Sequence, residues 1–229
     1  MGRERTFDDQ EVVRAARRVF WERGYAETGI SDLEQATGLG RSSLYHAYGS
    51  KRGLFDAACE SYLDDVIRPR LAPLGEQTVA PEALENYLTG LRTALQGGVA
   101  ELHHHGCLLM NATAASIGHD DAMQAVISRY YVQLRASIGA GVRARRPELS
   151  EGEAELLTTT CTSLVLTSMI SVRISPDTAV EMVTSALHLV RGQFDPTQMD
   201  PTQFDPTVGV TRGGAALERT TSSVATSDN

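Results

Sequence analysis

The sequence predicts an all-α protein, with a head of three helices and a larger helical body, about nine helices in all. Three observations lead there. Apolar residues recur at helical spacing through most of the chain up to residue 193. Glycines and prolines punctuate it at helix-length intervals, and no segment alternates apolar and polar residues as a strand would.

Asp8 to Arg23 places Val12, Ala15, Ala16, Val19 and Phe20 on one stripe, and Gly24 stops that helix. Ser31-Asp32-Leu33-Glu34 has the pattern of a capping box and predicts a short second helix that ends at Gly38. A third runs from Arg41 or Ser42 to Tyr48 and is closed by Gly49. Ser50 then caps a longer fourth helix that reaches to around Pro69 or Pro73. The body continues with helices over about 82–97, 101–117 and 120–145, the last ending in Arg143, Arg145 and Arg146, cations suited to a helix C-terminus. A second capping box, Ser150 with Glu153, opens a helix to about Ile174. Ser175-Pro176-Asp177 opens the last, to about Arg191. From Gln193 a QxDPT pentad is repeated three times. A proline every five residues forbids helix, so a disordered tail is expected from 194 to 229, with Phe194, Met199 and Phe204 recurring in it.

Composition narrows the function classes. The chain has 229 residues and a net charge of -8, unevenly placed. Residues 1–52 carry nine basic and eight acidic side chains, a net of +1; the remainder carries twelve and twenty-one, a net of -9. Between Glu34 and Asp56 there is no acidic residue, and Lys51 is the single lysine against 20 arginines. The most apolar stretch, Leu164 to Ile174, is broken by Thr167, Ser168, Ser171 and Arg173, so no membrane span is expected. The N-terminus lacks the apolar core of a signal peptide, which predicts a cytoplasmic protein. Cys59, Cys107 and Cys161 are odd in number and far apart, as expected of reduced thiols.

Two short helices joined through Gly38-Leu39-Gly40 and braced by an amphipathic helix form a helix-turn-helix pattern. Its second helix is of a size to enter the major groove of double-stranded DNA, where arginine and short polar side chains read base edges. Arg41, Ser42, Ser43 and His46 suit that task, Tyr45 and Tyr48 offer hydroxyls to phosphates, and Lys51 and Arg52 open the next helix where free amides favour an anion. Leu44 and Phe55 belong to the core. No GxSxG, glycine-rich nucleotide loop, HExxH or paired-carboxylate cluster is present. An enzyme is therefore the lesser alternative, and no cofactor or metal is expected.

The N-terminal 55 residues resemble the TetR family of bacterial transcriptional regulators. The resemblance is carried by Phe20, Glu22-Arg23-Gly24-Tyr25, Thr28, Ile30, Ala36-x-Gly38, Leu44-Tyr45 and Gly49-Ser50-Lys51. It implies a base-reading helix over Arg41 to Tyr45, phosphate contacts at Tyr45 and Lys51, and Thr28 near the backbone at the second helix. This chain departs from the family pattern at Gly40, Ala47, Tyr48, Arg52 and Trp21. Gly40 in place of a serine cap should loosen the recognition helix by a few tenths of a kcal/mol.

The resemblance also implies a homodimer on a palindromic operator, built on the last two helices, and a small-molecule effector bound among the middle helices. The penultimate helix, rich in Thr158, Thr159, Thr160, Thr162 and Ser163 among leucines, suits close helix approach. Candidate pocket residues are Met110, Asn111, Tyr130, Leu134, Thr160 and Leu164, mostly apolar with a few polar groups, as lipophilic or aromatic effectors require. Cys107, beside His103-His104-His105, is the candidate for an alternative redox or electrophile sensor. Consecutive histidines on a helix point about 100° apart and do not share one ion. The expected division is a DNA-binding domain over 1–52, a ligand-binding and dimerisation domain over 53–193, and the tail. The expected function is a dimeric, ligand-responsive repressor.

Overall fold

The N-terminal stripe folds into α1 (Asp9–Arg23), capped by Asp8, whose carboxylate accepts from the Gln10 amide at 2.9 Å. The structure is a computed structural model that describes residues 8–193; the QxDPT repeats and the tail lie outside those residues. All the helical stretches expected from sequence are present, with differences in where some of them begin and break.

α2 (Ile30–Thr37) begins earlier than expected. Its N-cap is Gly29, not Ser31, because the Asp32 carboxylate reaches back to the Gly29 amide at 2.8 Å while Arg23 holds its other oxygen at 2.7 Å. That leaves Glu34 free for a different partner. It crosses the turn and accepts from the backbone amide of Arg41 at 2.6 Å, the first residue of α3 (Arg41–Tyr48). The cap that Gly40 lacks is thus supplied by Glu34, which offsets the loosening expected from sequence.

α4 (Lys51–Tyr62) is capped by Ser50, whose hydroxyl accepts from Gly53 at 3.1 Å. Gly53 is required there: a Cβ would lie 2.1 Å from the Tyr48 carbonyl. The aromatic rings of Phe20 and Phe55 meet edge to face at 5.0 Å, and Tyr25 packs on Phe55 at 5.0 Å, pinning α1 to α4. Sequence places the end of this helix around Pro69 or Pro73. The rod reaches that far, but not as one α-helix: it passes through a π turn (Leu63–Ile67) into α5 (Arg68–Leu71) and a 3-10 turn (Ala72–Leu74). Pro69 has no amide to give to the carbonyl four residues back, and its ring crowds it; the wider turn, with the Arg68 amide on the Leu63 carbonyl, absorbs that misfit.

α6 (Ala83–Thr93) ends in a second π turn (Ala94–Gly98). The single helix expected over 101–117 is divided into α7 (Ala100–His105) and α8 (Leu108–Thr113), followed by a 3-10 turn at Ser116–His119. The break is at Gly106, with φ +65°; a Cβ there would sit 1.9 Å from the Met169 carbonyl. Close approach to the penultimate helix, rather than local propensity, decides that break. α9 (Asp121–Arg145), α10 (Glu151–Ser171) and α11 (Pro176–Arg191) complete the chain, and Ser150 and Glu153 form the expected capping box. Glu85 of α6 gathers Arg145 of α9 at 2.6 Å and Arg191 of α11 at 2.7 Å. One contiguous core runs from Phe20 and Phe55 through Leu88 and Leu134 to Leu187. Among the described residues, no helix is long and apolar enough to cross a membrane.

Candidate nucleic-acid interface and effector cavity

α3 is anchored by one buried side chain, Leu44, and turns its other face outward. Arg41, Ser42, Ser43 and His46 are all exposed and Tyr45 is half-buried. The Arg41 guanidinium rests 5.5 Å from the centre of the Tyr45 ring, which orients it without neutralising it. At the start of α4 the Lys51 ammonium lies 4.6 Å from the centre of the Tyr25 ring and reaches the Ala26 carbonyl at 3.4 Å. Two of its three donors are left for an anion at a helix N-terminus. These six side chains form one outward surface that carries no carboxylate of its own segment.

Three residues singled out in the sequence stand apart from that surface. Tyr48 packs against the core and donates its hydroxyl to Asp9 at 2.6 Å, so it ties α3 to α1. Thr28 is buried and donates to the Gly24 carbonyl at 2.6 Å, closing the turn between α1 and α2. Arg52 does not wait for a phosphate: it bridges Asp56 at 2.8 Å and Asp120 at 2.7 Å. It joins α4 to the cap of α9.

The middle helices enclose a groove of about 560 Å³ between α5, α6 and the second π turn, with Arg70, Ala83, Asn86, Tyr87, Leu91 and Val99 in its walls. A narrow slot of about 20 Å³ adjoins it, bounded by Tyr62, Tyr87, Tyr130, Leu134, Val165 and Met169. Arg70, Tyr87 and Leu91 border both. Of the six pocket residues expected from sequence, Tyr130 and Leu134 line the slot. Met110, Asn111, Thr160 and Leu164 line neither space. Asn111 instead donates to the His105 carbonyl at 2.7 Å and Thr160 to the Leu156 carbonyl at 2.9 Å. Sequence reading missed Tyr62, Arg70 and Tyr87, which look like ordinary core and surface positions until α4, α5 and α6 bring them together. Pro69-Arg70, a proline followed by an arginine late in the fourth helical stretch, was the available signal for Arg70.

Cys107 is fully buried at the start of α8. Burial pushes its thiol up, although the Tyr62 hydroxyl and the amides of Met110 and Leu109 act the other way. Cys59 and Cys161 are also free, buried and pushed up to about 12 by desolvation. His103 spends its Nδ1 on the Leu95 carbonyl at 2.5 Å, and among the described residues no three His, Cys, Asp or Glu side chains converge as a metal set.

The model of bacterial regulatory proteins of the tetR family matches residues 12–58. The uncharacterized HTH-type transcriptional regulator YezE of Bacillus subtilis is 33% identical over 146 residues, 62% of this chain and 72% of YezE. The chain belongs to the TetR family. It is a transcriptional regulator and not an enzyme. The repressor ComR of Escherichia coli is 29% identical over 136 residues, 58% of this chain and 63% of ComR. The repressor BdcR of the same species is 24% identical over 165 residues, 71% of this chain and 80% of BdcR. In fold, this TetR-family chain is similar to a cysteine mutant of the regulator CifR complexed with 26-bp operator DNA. The TM-score is 0.66 at 24% identity, over 81% of this chain and 98% of that one.

Proposed function

We propose that this protein is a dimeric repressor that binds a palindromic operator through α3 and releases it when a small molecule occupies the groove beside α6. The observation that carries the DNA reading is the outward surface of Arg41, Ser42, Ser43, Tyr45, His46 and Lys51, cationic and hydroxylated in an otherwise acidic chain. Arg41, Ser43 and His46 read bases, while Tyr45 and Lys51 grip phosphates. Residues 1–52 thereby act as the DNA-binding part and 53–193 as the effector and dimer part. The relatives named as repressors support the direction of regulation.

A stripe of Leu156, Ser163, Thr167, Ile170 and Ile174 lies exposed along α10 and just beyond it, at spacings of three, four and seven residues. Ile174 is 86% and Leu156 69% exposed, a large apolar investment on a surface rimmed by small hydroxylated side chains. This stripe supports the dimer, and a second copy brings a second α3 to the other half-site. Release follows from the rod that begins at Lys51 and meets the groove at Arg70 and Pro73. A ligand that moves its far end moves the phosphate grip at the near end. Selection of duplexes from a random library tests the reading: a two-fold symmetric sequence should be enriched, and enrichment of an asymmetric site, or of none, would refute it.

A further inference from the structure

Resting on the effector-release reading, we propose that the effector is a small monocarboxylic acid with an aryl or alkyl body. Its carboxylate is held by Arg70 and Tyr87 where the groove meets the slot. Arg70 is the cation common to both spaces, and among the described residues its hydrogen-bond partner is the Val66 carbonyl of its own rod. No carboxylate among the described residues pairs with it, whereas most of the chain's other body arginines (Arg68, Arg135, Arg143, Arg145, Arg146 and Arg191) each hold a Glu or Asp. A planar guanidinium on a cavity-lining residue is matched to a carboxylate by the donors of its fork that remain. Tyr87 borders the same junction; its hydroxyl has no hydrogen-bond partner among the described residues and is kept protonated by burial, so it can add a neutral donor.

The rest of the groove sets size and polarity. Ala83, Leu91, Ala94 and Val99 give an apolar wall in a volume suited to a ligand of drug-fragment size, and the slot of about 20 Å³ is too small to take a ring. The body therefore lies in the groove with its head inward. Glu76 and Glu82, both exposed in the groove lining, repel a second carboxylate and select monoacids over diacids.

The test uses the full chain and a matched series: phenylbutyrate, phenylbutanol, phenylbutylamine and the diacid phenylsuccinate. Calorimetry should give phenylbutyrate at least about tenfold tighter binding than the alcohol, amine or diacid, the scale of one charge-assisted pair. Arg70→Gln should abolish that preference, Arg70→Lys should retain part of it, and Tyr87→Phe should cost a few-fold. An alcohol or amine that binds as well as the acid in the wild-type chain overturns the assignment, as does an acid preference that survives Arg70→Gln or a series in which nothing binds. The wild-type comparison decides even where a variant does not fold. Operator release, followed by anisotropy, separates the two readings. An acid that binds through Arg70 yet leaves the operator bound refutes release and leaves the site standing. An alcohol that releases the operator as well as the acid does the reverse.

Discussion

The indole Nε1 of Trp21 donates to the backbone carbonyl of Gly106 at 2.9 Å, a buried bond that spans 85 positions of the chain. It fastens the far end of α1 to the bend between α7 and α8, and the Trp21 ring also meets Tyr62 edge to face at 4.8 Å. Gly106 in turn touches the Met169 carbonyl of α10. The helix that braces α3 is thus attached directly to the wall of the slot bounded by Tyr62 and Met169.

Replacing Trp21 with Phe should leave the Gly106 carbonyl buried without a partner. The expected cost is about 1–3 kcal/mol, from the lost bond and the desolvated acceptor. Urea unfolding checks it: the midpoint should fall with little change in slope. An unchanged midpoint would mean that water or another donor replaces the indole.

Glu34 should matter to α3 as a cap. Glu34→Ala is expected to cost about 1 kcal/mol, and Glu34→Gln less, because the amide oxygen still accepts from Arg41. Both variants should weaken operator binding in the same order, read by anisotropy and urea unfolding together. Equal effects would remove the cap explanation.

Lys51 and Arg52 are neighbours with different expected roles. Lys51→Ala should weaken binding to every duplex and flatten the slope of log affinity against log salt by about one. Arg52→Ala should leave that slope as it is, since its guanidinium is already occupied by Asp56 and Asp120. A slope change in Arg52→Ala of the same size would assign it to phosphate after all.

The Arg52 guanidinium first, and the Met123 amide second, hold the Asp120 carboxyl down at about 2, from an ordinary value of 3.8. A carboxyl depressed by folding contributes stability that is present above about pH 4 and is lost as pH falls toward 2. Asp120→Asn should remove that contribution, so the difference in stability between variant and wild type should shrink across this window. A constant difference down to pH 2 would show that Asp120 does not titrate there.

The outward face of α3 was legible in the sequence because polar residues at helical spacing around a single buried leucine leave little choice of face. What stayed hidden there were commitments made over distance. Tyr48 to Asp9, Arg52 to Asp120 and Glu34 to Arg41 span 39, 68 and 7 positions, and no local pattern announces them. The body was legible as helices but not as a cavity. Tyr130 and Leu134, pocket candidates in the sequence, line the slot, whereas Arg70 follows a π turn beside Pro69 and Tyr87 comes from α6, remote in sequence. The bend at Gly106 depends on Met169, which is remote in sequence.

The most direct measurement of the central claim is the specificity of Arg41→Ala. Anisotropy should be read on the selected operator and on a scrambled duplex of equal length, for wild type and variant at one salt concentration. If α3 reads bases, the variant should lose about 1–3 kcal/mol on the operator and little on the scrambled duplex, so that the ratio between them collapses. An equal loss on both duplexes would contradict base reading by Arg41, and no loss on either would contradict the placement of α3 in the groove.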